Sequence, residues 1–172
     1  MAGLLAALVV AAGIAAAPAP GLSQAVPSAP AQRAVALLAG VSQYDLSGTG
    51  TTPFGAVRFD LPVARAIIVE PGLTLLPYEP QFGERVTHVL PEVQLQVQRT
   101  AAVFRPFLGA GMGASWAVRS GEDEVDFTVA GSGGVRLVTQ SAWMLRAELR
   151  VRVIDPWVGT TADWSLGVGR AF

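Results

Sequence analysis

The chain has 172 residues, which suits a single domain, and its formal net charge of −1 gives no reason to expect a nucleic-acid partner. Only 15% of the residues are charged, against roughly 25% in ordinary soluble domains, while 51% are hydrophobic. The 19 glycines and 12 prolines oppose long helices, and the lack of cysteine excludes disulfides and cysteine-ligated metal sites.

The first 25 residues have the composition of an export signal. Residues 3–17 form an almost purely apolar, alanine-rich run that is too short for a membrane-spanning helix of about 20 residues. A small-x-small cleavage site ends at Ala25, so we predict a signal peptide over residues 1–25, with an uncleaved N-terminal anchor as the alternative. Residues 26–32 are rich in proline, alanine and serine and are predicted to form a disordered linker.

Beyond the linker, apolar and polar residues alternate with the period of two that is typical of a β-strand. The pattern is clearest over residues 89–98 and 143–154. Eight strands are predicted, at residues 33–44, 53–61, 66–76, 87–98, 102–118, 125–138, 142–154 and 162–172. Pro62, Pro71 and Pro77 cannot donate to a ladder, so we expect bulges or strand ends at these positions.

The connections between these strands are alternately long and short. The long, polar ones cover residues 45–52, 77–86, 119–124 and 155–161, and the short ones cover 62–65, 99–101 and 139–141. An antiparallel up-and-down meander joins successive strands at opposite ends, so all the long loops are expected on one side. Bacterial outer-membrane barrels have this arrangement, with short periplasmic turns and longer extracellular loops.

A period of two does not say which face points inward, because a soluble barrel such as a lipocalin buries its apolar face. The aromatic residues of the apolar faces lie near strand ends, at Phe104, Trp116, Phe127 and Trp143, with aliphatic or small residues between them. Membrane barrels carry such aromatic girdles at both membrane interfaces. We therefore predict that the apolar faces contact lipid and that these four residues belong to the girdles.

Six arginines and five carboxylates fall on the polar faces. They are Arg58, Asp60, Glu70, Glu92, Arg105, Arg136, Arg146, Glu148, Arg150, Arg152 and Asp163. The interior of an eight-stranded barrel is just wide enough to be filled by side chains, and buried charges there must be paired. We predict a lumen filled by ion pairs, with Gly109, Gly111 and Gly113 leaving room for arginine side chains opposite. The alternative is a solvated face with scattered charges.

The last predicted strand places Trp164, Leu166, Val168 and Phe172 on one face. A terminal phenylalanine that closes an alternating apolar strand resembles the C-terminal assembly signal of outer-membrane barrels. This resemblance implies that the barrel-assembly machinery is a partner during insertion.

Residues 105–111 read Arg-Pro-Phe-Leu-Gly-Ala-Gly, and residues 44–48 read Tyr-Asp-Leu-Ser-Gly. The first motif resembles the Arg-Pro-aromatic-x-Gly-x-Gly strand of the OmpA-like and OmpX-like small barrels. The resemblance covers residues 33–172 and implies an all-β fold, an eight-stranded antiparallel up-and-down transmembrane β-barrel with a side-chain-filled interior. It also implies a location in the bacterial outer membrane, among its lipids and lipopolysaccharide.

The residues offer little chemistry. Lipid A deacylases of the outer membrane resemble this chain in size and fold and use a His/Ser/Glu triad, but His88 has no serine near it on its own strand face. Asp45 and Ser47 have no spacing that makes them its catalytic partners. The acidic run at residues 122–124, with Asp126 beyond it, is predicted to be a solvated loop, with a divalent cation site as the alternative. No catalytic, metal or cofactor site is predicted.

We therefore predict a non-enzymatic outer-membrane barrel with a structural or surface-interaction role. Three alternatives remain open. They are an outer-membrane enzyme that acts on lipid A or phospholipid, a narrow conduit for small apolar solutes in the manner of OmpW-like proteins, and a soluble ligand-binding barrel.

Overall fold

The computed structural model describes residues 32–44, 50–78, 86–99, 103–118, 124–155 and 159–172. The predicted signal peptide and residues 26–31 of the predicted linker lie outside these ranges. Within the described ranges, no helix is both long enough and apolar enough to cross a membrane.

Eight strands make up the structure. They are β1 (Ala34–Tyr44), β2 (Gly50–Pro62), β3 (Ile67–Tyr78), β4 (Val86–Gln98), β5 (Phe104–Val118), β6 (Glu124–Val138), β7 (Trp143–Ile154) and β8 (Gly159–Ala171). Each strand pairs antiparallel with its neighbours in the chain, and β1 pairs with β8 to close a barrel. Closure pairs the backbone groups that would otherwise lie at a sheet edge. A sheet that spans a membrane requires this pairing, because hydrocarbon cannot satisfy free backbone groups. The predicted fold is confirmed.

Strand β2 begins at Gly50 and β8 at Gly159, three residues earlier in each case than predicted. The polar Gly-Thr-Thr stretches that open both strands have the composition of a loop, but they pair in register with β1 and β7. The two groups of connections consequently differ less in length than predicted. The first group covers residues 45–49, 79–85, 119–123 and 155–158, and the second covers 63–66, 99–103 and 139–142. We call the first group the loop end of the barrel and the second group the turn end.

The three prolines behave differently from one another. Pro62 and Pro77 lie at or next to the ends of β2 and β3, as expected. Pro71 lies inside β3, so the expectation of a bulge or strand end there is wrong. The β2–β3 ladder has a gap of two pairs beside Pro71 and then resumes in the same register, because proline has no N–H to donate.

The two faces of the sheet differ in polarity as the period-two pattern requires. Every strand turns at least one large exposed apolar side chain outward, with Leu37, Phe59, Leu73, Val93, Leu108, Val129, Leu145 and Leu166 as examples from β1 to β8. A soluble barrel would bury this surface, whereas a barrel in lipid exposes it. The outward apolar face therefore matches the membrane alternative.

Two small apolar clusters lie inside the barrel. One joins β1, β7 and β8 near their turn ends, through Ala34, Ala36, Leu38, Met144 and Ala171. The other joins β2, β3 and β4 toward the loop end, through Phe54, Leu76 and Leu90. Most other inward side chains are polar or charged, with Ile68, Phe107 and Ile154 among the apolar exceptions.

Candidate functional site

Ten buried ionisable side chains share the lumen, and we call them the lumen network. The members are Arg58, Asp60, Glu70, Glu92, Arg136, Arg146, Glu148, Arg150, Arg152 and Asp163, each at most 6% exposed. Five are arginines and five are carboxylates, so the network carries no net formal charge. They lie inside because each occupies the inward phase of its strand.

Glu70 on β3 contacts four arginines. Arg146 Nη1 lies 2.5 Å from Glu70 Oε2, and Arg136 Nη2 lies 3.1 Å from the same oxygen. The other carboxylate oxygen has Arg150 Nη2 at 3.1 Å and Arg58 Nε at 3.9 Å. A single carboxylate thus links strands β2, β6 and β7 to β3.

Glu92 on β4 is a second centre of the lumen network. Arg152 Nε lies 2.6 Å from Glu92 Oε1, and Arg150 Nη1 lies 2.7 Å from Glu92 Oε2. Arg58 Nη2 approaches the same Oε2 at 3.7 Å and donates a hydrogen bond of 2.7 Å to Thr74 Oγ1. Arg58 and Arg150 therefore bridge the two central carboxylates, Glu70 and Glu92.

Strand β7 supplies alternating charges along its inward face. Arg146 Nη2 lies 2.5 Å from Glu148 Oε2, and Arg150 Nε donates to Glu148 Oε1 at 2.7 Å. One step further along β7, Arg152 Nη1 lies 2.7 Å from Asp163 Oδ2 on β8. Asp163 also accepts a 2.6 Å hydrogen bond from Ser42 Oγ, which brings β1 into the network.

The remaining contacts bring in β5. Asp60 faces Arg136 Nε at 3.2 Å and Arg146 Nη1 at 3.6 Å. The ring of Phe107 on β5 lies under both arginines, with guanidinium carbons 4.2 and 4.8 Å from its centroid. Guanidinium groups stack favourably over aromatic faces. With Ser42 and Phe107 included, all eight strands contribute a group to one connected interior.

Glycines on the inward faces make room for long side chains, although not as predicted. A Cβ on Gly109, Gly111 or Gly113 would collide with Gln96, Gln94 or Glu92 respectively, all on β4. The expectation that these three glycines accommodate arginines is therefore wrong, because the adjacent side chains across the β4–β5 ladder occupy the space. Arginine is accommodated elsewhere.

A glycine in β3 makes room for an arginine, and a glycine in β6 makes room for the ring on which two arginines stack. A Cβ on Gly72 would lie 2.5 Å from Arg58 Cδ, and one on Gly134 would lie 2.8 Å from the Phe107 ring. Real Cβ atoms do not approach so closely, so each glycine is required for a specific neighbour to fit.

The structure brings ten of the eleven predicted interior residues into the lumen network. The exception is Arg105, the second residue of β5, which is half-buried at the turn end rather than enclosed. Its inward phase is correct, but it lies only one residue from the start of β5.

The four predicted girdle residues lie on the outer surface at two levels. Phe104 and Trp143 begin their strands at the turn end, and Trp116 and Phe127 lie toward the loop end. All four are exposed, between 45% and 59%. The predicted C-terminal signal residues also share the outer face of the barrel: Trp164, Leu166, Val168 and Phe172 are exposed. Their role in assembly stays a prediction.

One side-chain pair was missed by sequence reasoning. His88 Nδ1 lies 3.0 Å from Ser115 Oγ, and both residues are buried in the lumen toward the loop end. The serine is on β5 rather than on the strand of the histidine, so a search along β4 could not find it. The register His88–Ala117, once known, places Ser115 diagonally beside the imidazole.

In the described part of the chain, no group of three or more His, Asp or Glu side chains is placed to hold a metal ion. Glu122 and Asp123 of the acidic run lie outside the described residues, so the divalent cation alternative stays untested.

Several solved structures resemble the whole barrel. Neisserial surface protein A (NspA) matches with a TM-score of 0.69 at 14% identity, over 81% of this chain and 97% of its own. The fold is that of the small outer-membrane β-barrels. The attachment invasion locus protein Ail of Yersinia pestis matches with a TM-score of 0.56 at 13% identity, over 84% of this chain and 100% of its own. Ail has also been solved with the heparin analogue sucrose octasulfate.

The small outer-membrane barrels that match include an enzyme. The outer membrane enzyme PagL matches with a TM-score of 0.54 at 11% identity, over 81% of this chain and 99% of its own. No family model and no curated protein matches the sequence. At these identities the likeness establishes the fold, and the exposed apolar face of the barrel supports the predicted outer-membrane location.

Proposed function

We propose that this chain is a non-conducting, non-enzymatic barrel of the bacterial outer membrane that serves a structural or surface-interaction role. The supporting observation is the lumen network, whose ten charges balance and whose members come from opposite walls. Buried charges held in this way resist hydration, because water would have to replace short, charge-assisted bonds. This packing opposes the conduit alternative.

Planar-bilayer conductance tests the packed lumen. We expect no conductance steps from the wild-type barrel. The matched variant Glu92→Ser with Arg150→Ser removes a directly bonded pair and keeps the net charge unchanged, and it should admit ions. Steady conductance from the wild-type barrel would contradict the proposal.

The chemistry of the loop end suggests which surface partners fit. The loop-end connections and adjacent strand ends contain eight carboxylates and two arginines, a net charge of −6. The carboxylates are Asp45, Glu79, Glu84, Glu122, Asp123, Glu124, Asp126 and Asp155, and the arginines are Arg85 and Arg119. An end with this net charge attracts cationic partners and repels polyanions. Contact with the phosphates of lipopolysaccharide would then require divalent cations as bridges.

A binding comparison in nanodiscs tests this surface. We expect no binding of sucrose octasulfate and weak, salt-sensitive binding of a lysine-rich peptide. We also expect retention of lipopolysaccharide to increase with Ca²⁺ and to fall on chelation. Tight binding of sucrose octasulfate would contradict an acidic recognition surface.

A second candidate function is hydrolysis of a lipid acyl ester, and the His88–Ser115 pair is the observation that favours it. A serine within hydrogen-bond distance of an imidazole is the minimal arrangement for a nucleophile and its base. Against it, Ser115 is fully buried among lumen side chains, whereas a nucleophile must reach its substrate.

Labelling with a fluorophosphonate probe separates the two candidates. Under the leading proposal, wild type and Ser115→Ala both stay unlabelled, and lipid A from cells with and without the protein has the same acylation. Labelling that Ser115→Ala abolishes would favour the hydrolase. Thr128→Val, another buried hydroxyl of the lumen, is the matched control.

We also propose that the barrel-assembly machinery recognises the outer face of β8. Phe172 is 72% exposed and its backbone N–H donates to Arg33 O at 2.8 Å, so its ring is presented outward from a fixed backbone. Phe172→Ala is expected to slow assembly in cells without lowering the stability of the refolded barrel. Equal assembly of the two proteins would contradict this role.

A further inference from the structure

The turn end of the barrel has an unusual charge composition. Arg33, Arg65, Arg99 and Arg170 are all exposed there, and we call these four residues the arginine collar. Arg33 precedes β1, Arg65 and Arg99 lie in the turns after β2 and β4, and Arg170 lies near the end of β8. The half-buried Arg105 adds a fifth positive charge at the same end.

The charged residues in the turns at this end are all arginines. The three turns at residues 63–66, 99–103 and 139–142 contain no aspartate or glutamate. The acid nearest this end is Asp60, but it is buried and faces Arg136 at 3.2 Å and Arg146 at 3.6 Å. The turn end therefore presents positive charge, in contrast to the net −6 of the loop end.

The collar lies at the level of a membrane interface. The guanidinium of Arg170 lies 6.0 Å from the ring centroid of Trp143, and both side chains are exposed on the outer wall. Phe104 lies at the same end. Tryptophan and phenylalanine rings at strand ends mark the boundary between hydrocarbon and headgroups. Arginines beside them lie where lipid phosphates lie.

We propose that the arginine collar binds the phosphate groups of anionic phospholipids in the periplasmic leaflet of the outer membrane. Short turns face the periplasm in such barrels, so the collar meets phospholipid headgroups. Arginine suits this task because its planar fork can donate two hydrogen bonds to one phosphate. The β6–β7 turn contains no arginine, so binding is concentrated on the wall from β8 through β1 to β5. The proposal rests on membrane placement and not on the packed lumen.

Native mass spectrometry of the detergent-solubilised barrel tests the collar. The protein is titrated separately with phosphatidylglycerol and with phosphatidylcholine, and the retained lipids are counted. Arg65→Gln with Arg99→Gln is compared with Arg85→Gln with Arg119→Gln, which makes the same change of charge in loop-end connections. An arginine close to an anionic lipid surface strengthens binding by about fivefold at low salt.

We expect wild type and the loop-end variant to retain phosphatidylglycerol preferentially, and the collar variant to lose most of that preference. Raising the salt concentration should remove it from all three proteins. Unchanged heat-modifiable gel mobility verifies that each variant is folded. Equal retention of the two lipids by wild type, or equal losses by both variants, would overturn the proposal. Neither result would bear on conductance or probe labelling, so failure here is distinguishable from failure of the proposed function.

Discussion

The lumen and the two ends of the barrel hold their charges in opposite ways. Inside, five arginines and five carboxylates alternate in space, and each of the two central acids contacts at least three arginines. At the ends the signs are separated, with the arginine collar at the turn end and an excess of carboxylates at the loop end. The net charge of −1 conceals this separation.

The physical reason is the cost of desolvation. A charge removed from water must be compensated by a partner at short range, so the lumen tolerates only interleaved opposite charges. At the ends, water and salt screen the charges, and an excess of one sign costs little. The lumen charges are consequently committed to one another, whereas the arginines of the collar are exposed to solvent.

Removing one central carboxylate of the lumen network is expected to have the largest effect on stability. Glu70→Gln leaves four arginine contacts without their anion, and we expect a loss of about 3–5 kcal/mol of unfolding free energy. The measurement is urea unfolding in lipid vesicles followed by tryptophan fluorescence. Glu124→Gln, at the exposed start of β6, is the matched control and should change stability by under about 1 kcal/mol. Similar losses for both variants would show that burial does not distinguish the two regions.

A charge on the lipid face should have the next largest effect. Leu166 lies near the middle of β8 and is 71% exposed on the outer wall. Leu166→Arg is expected to cost about 2–4 kcal/mol, because midplane hydrocarbon offers the guanidinium no partner. Leu166→Ala controls for the lost leucine. If the arginine variant unfolds like the alanine variant in the same urea series, this wall does not face hydrocarbon.

The close packing beside Arg58 can be tested by adding one methyl group at Gly72. Gly72→Ala places a Cβ against Arg58, whose guanidinium already bonds Thr74 and approaches two acids, so we expect a loss of about 1–3 kcal/mol. Gly131→Ala on the outer face meets open space and should be close to neutral. The two variants are compared by the midpoint temperature of thermal unfolding in detergent. Equal midpoints would show that the Arg58 side chain moves aside freely.

The smallest effect on stability is expected at the arginine collar. Arg65→Gln with Arg99→Gln should change the unfolding free energy by under about 0.5 kcal/mol, because both side chains are exposed. Urea unfolding in vesicles of zwitterionic lipid is the appropriate measurement. A loss of unfolding free energy comparable to that of Glu70→Gln would mean that the collar stabilises the fold. The contrast between the collar and the lumen network would then be wrong.

The sequence by itself determined the number of strands, their antiparallel order and the assignment of each side chain to one face. These features follow from a period of two and from the positions of turns, which are local properties of the chain. Predictions from local composition were wrong where strand pairing determined the structure. This happened at the Gly-Thr-Thr stretches that begin β2 and β8 and at Pro71 inside β3. In these places the neighbouring strand supplies the bonds that keep the backbone extended.

Only the tertiary structure decided which charges meet. Sequence alternation placed Glu70 and Arg146 on inward faces, but their contact joins strands from different parts of the barrel wall and depends on the shear of the closed sheet. The same holds for the His88–Ser115 pair and for the glutamine and glutamate side chains that lie beside Gly109, Gly111 and Gly113. Phase along a strand is a one-dimensional property that residue order fixes, whereas distance across a lumen depends on how eight strands are staggered when the barrel closes.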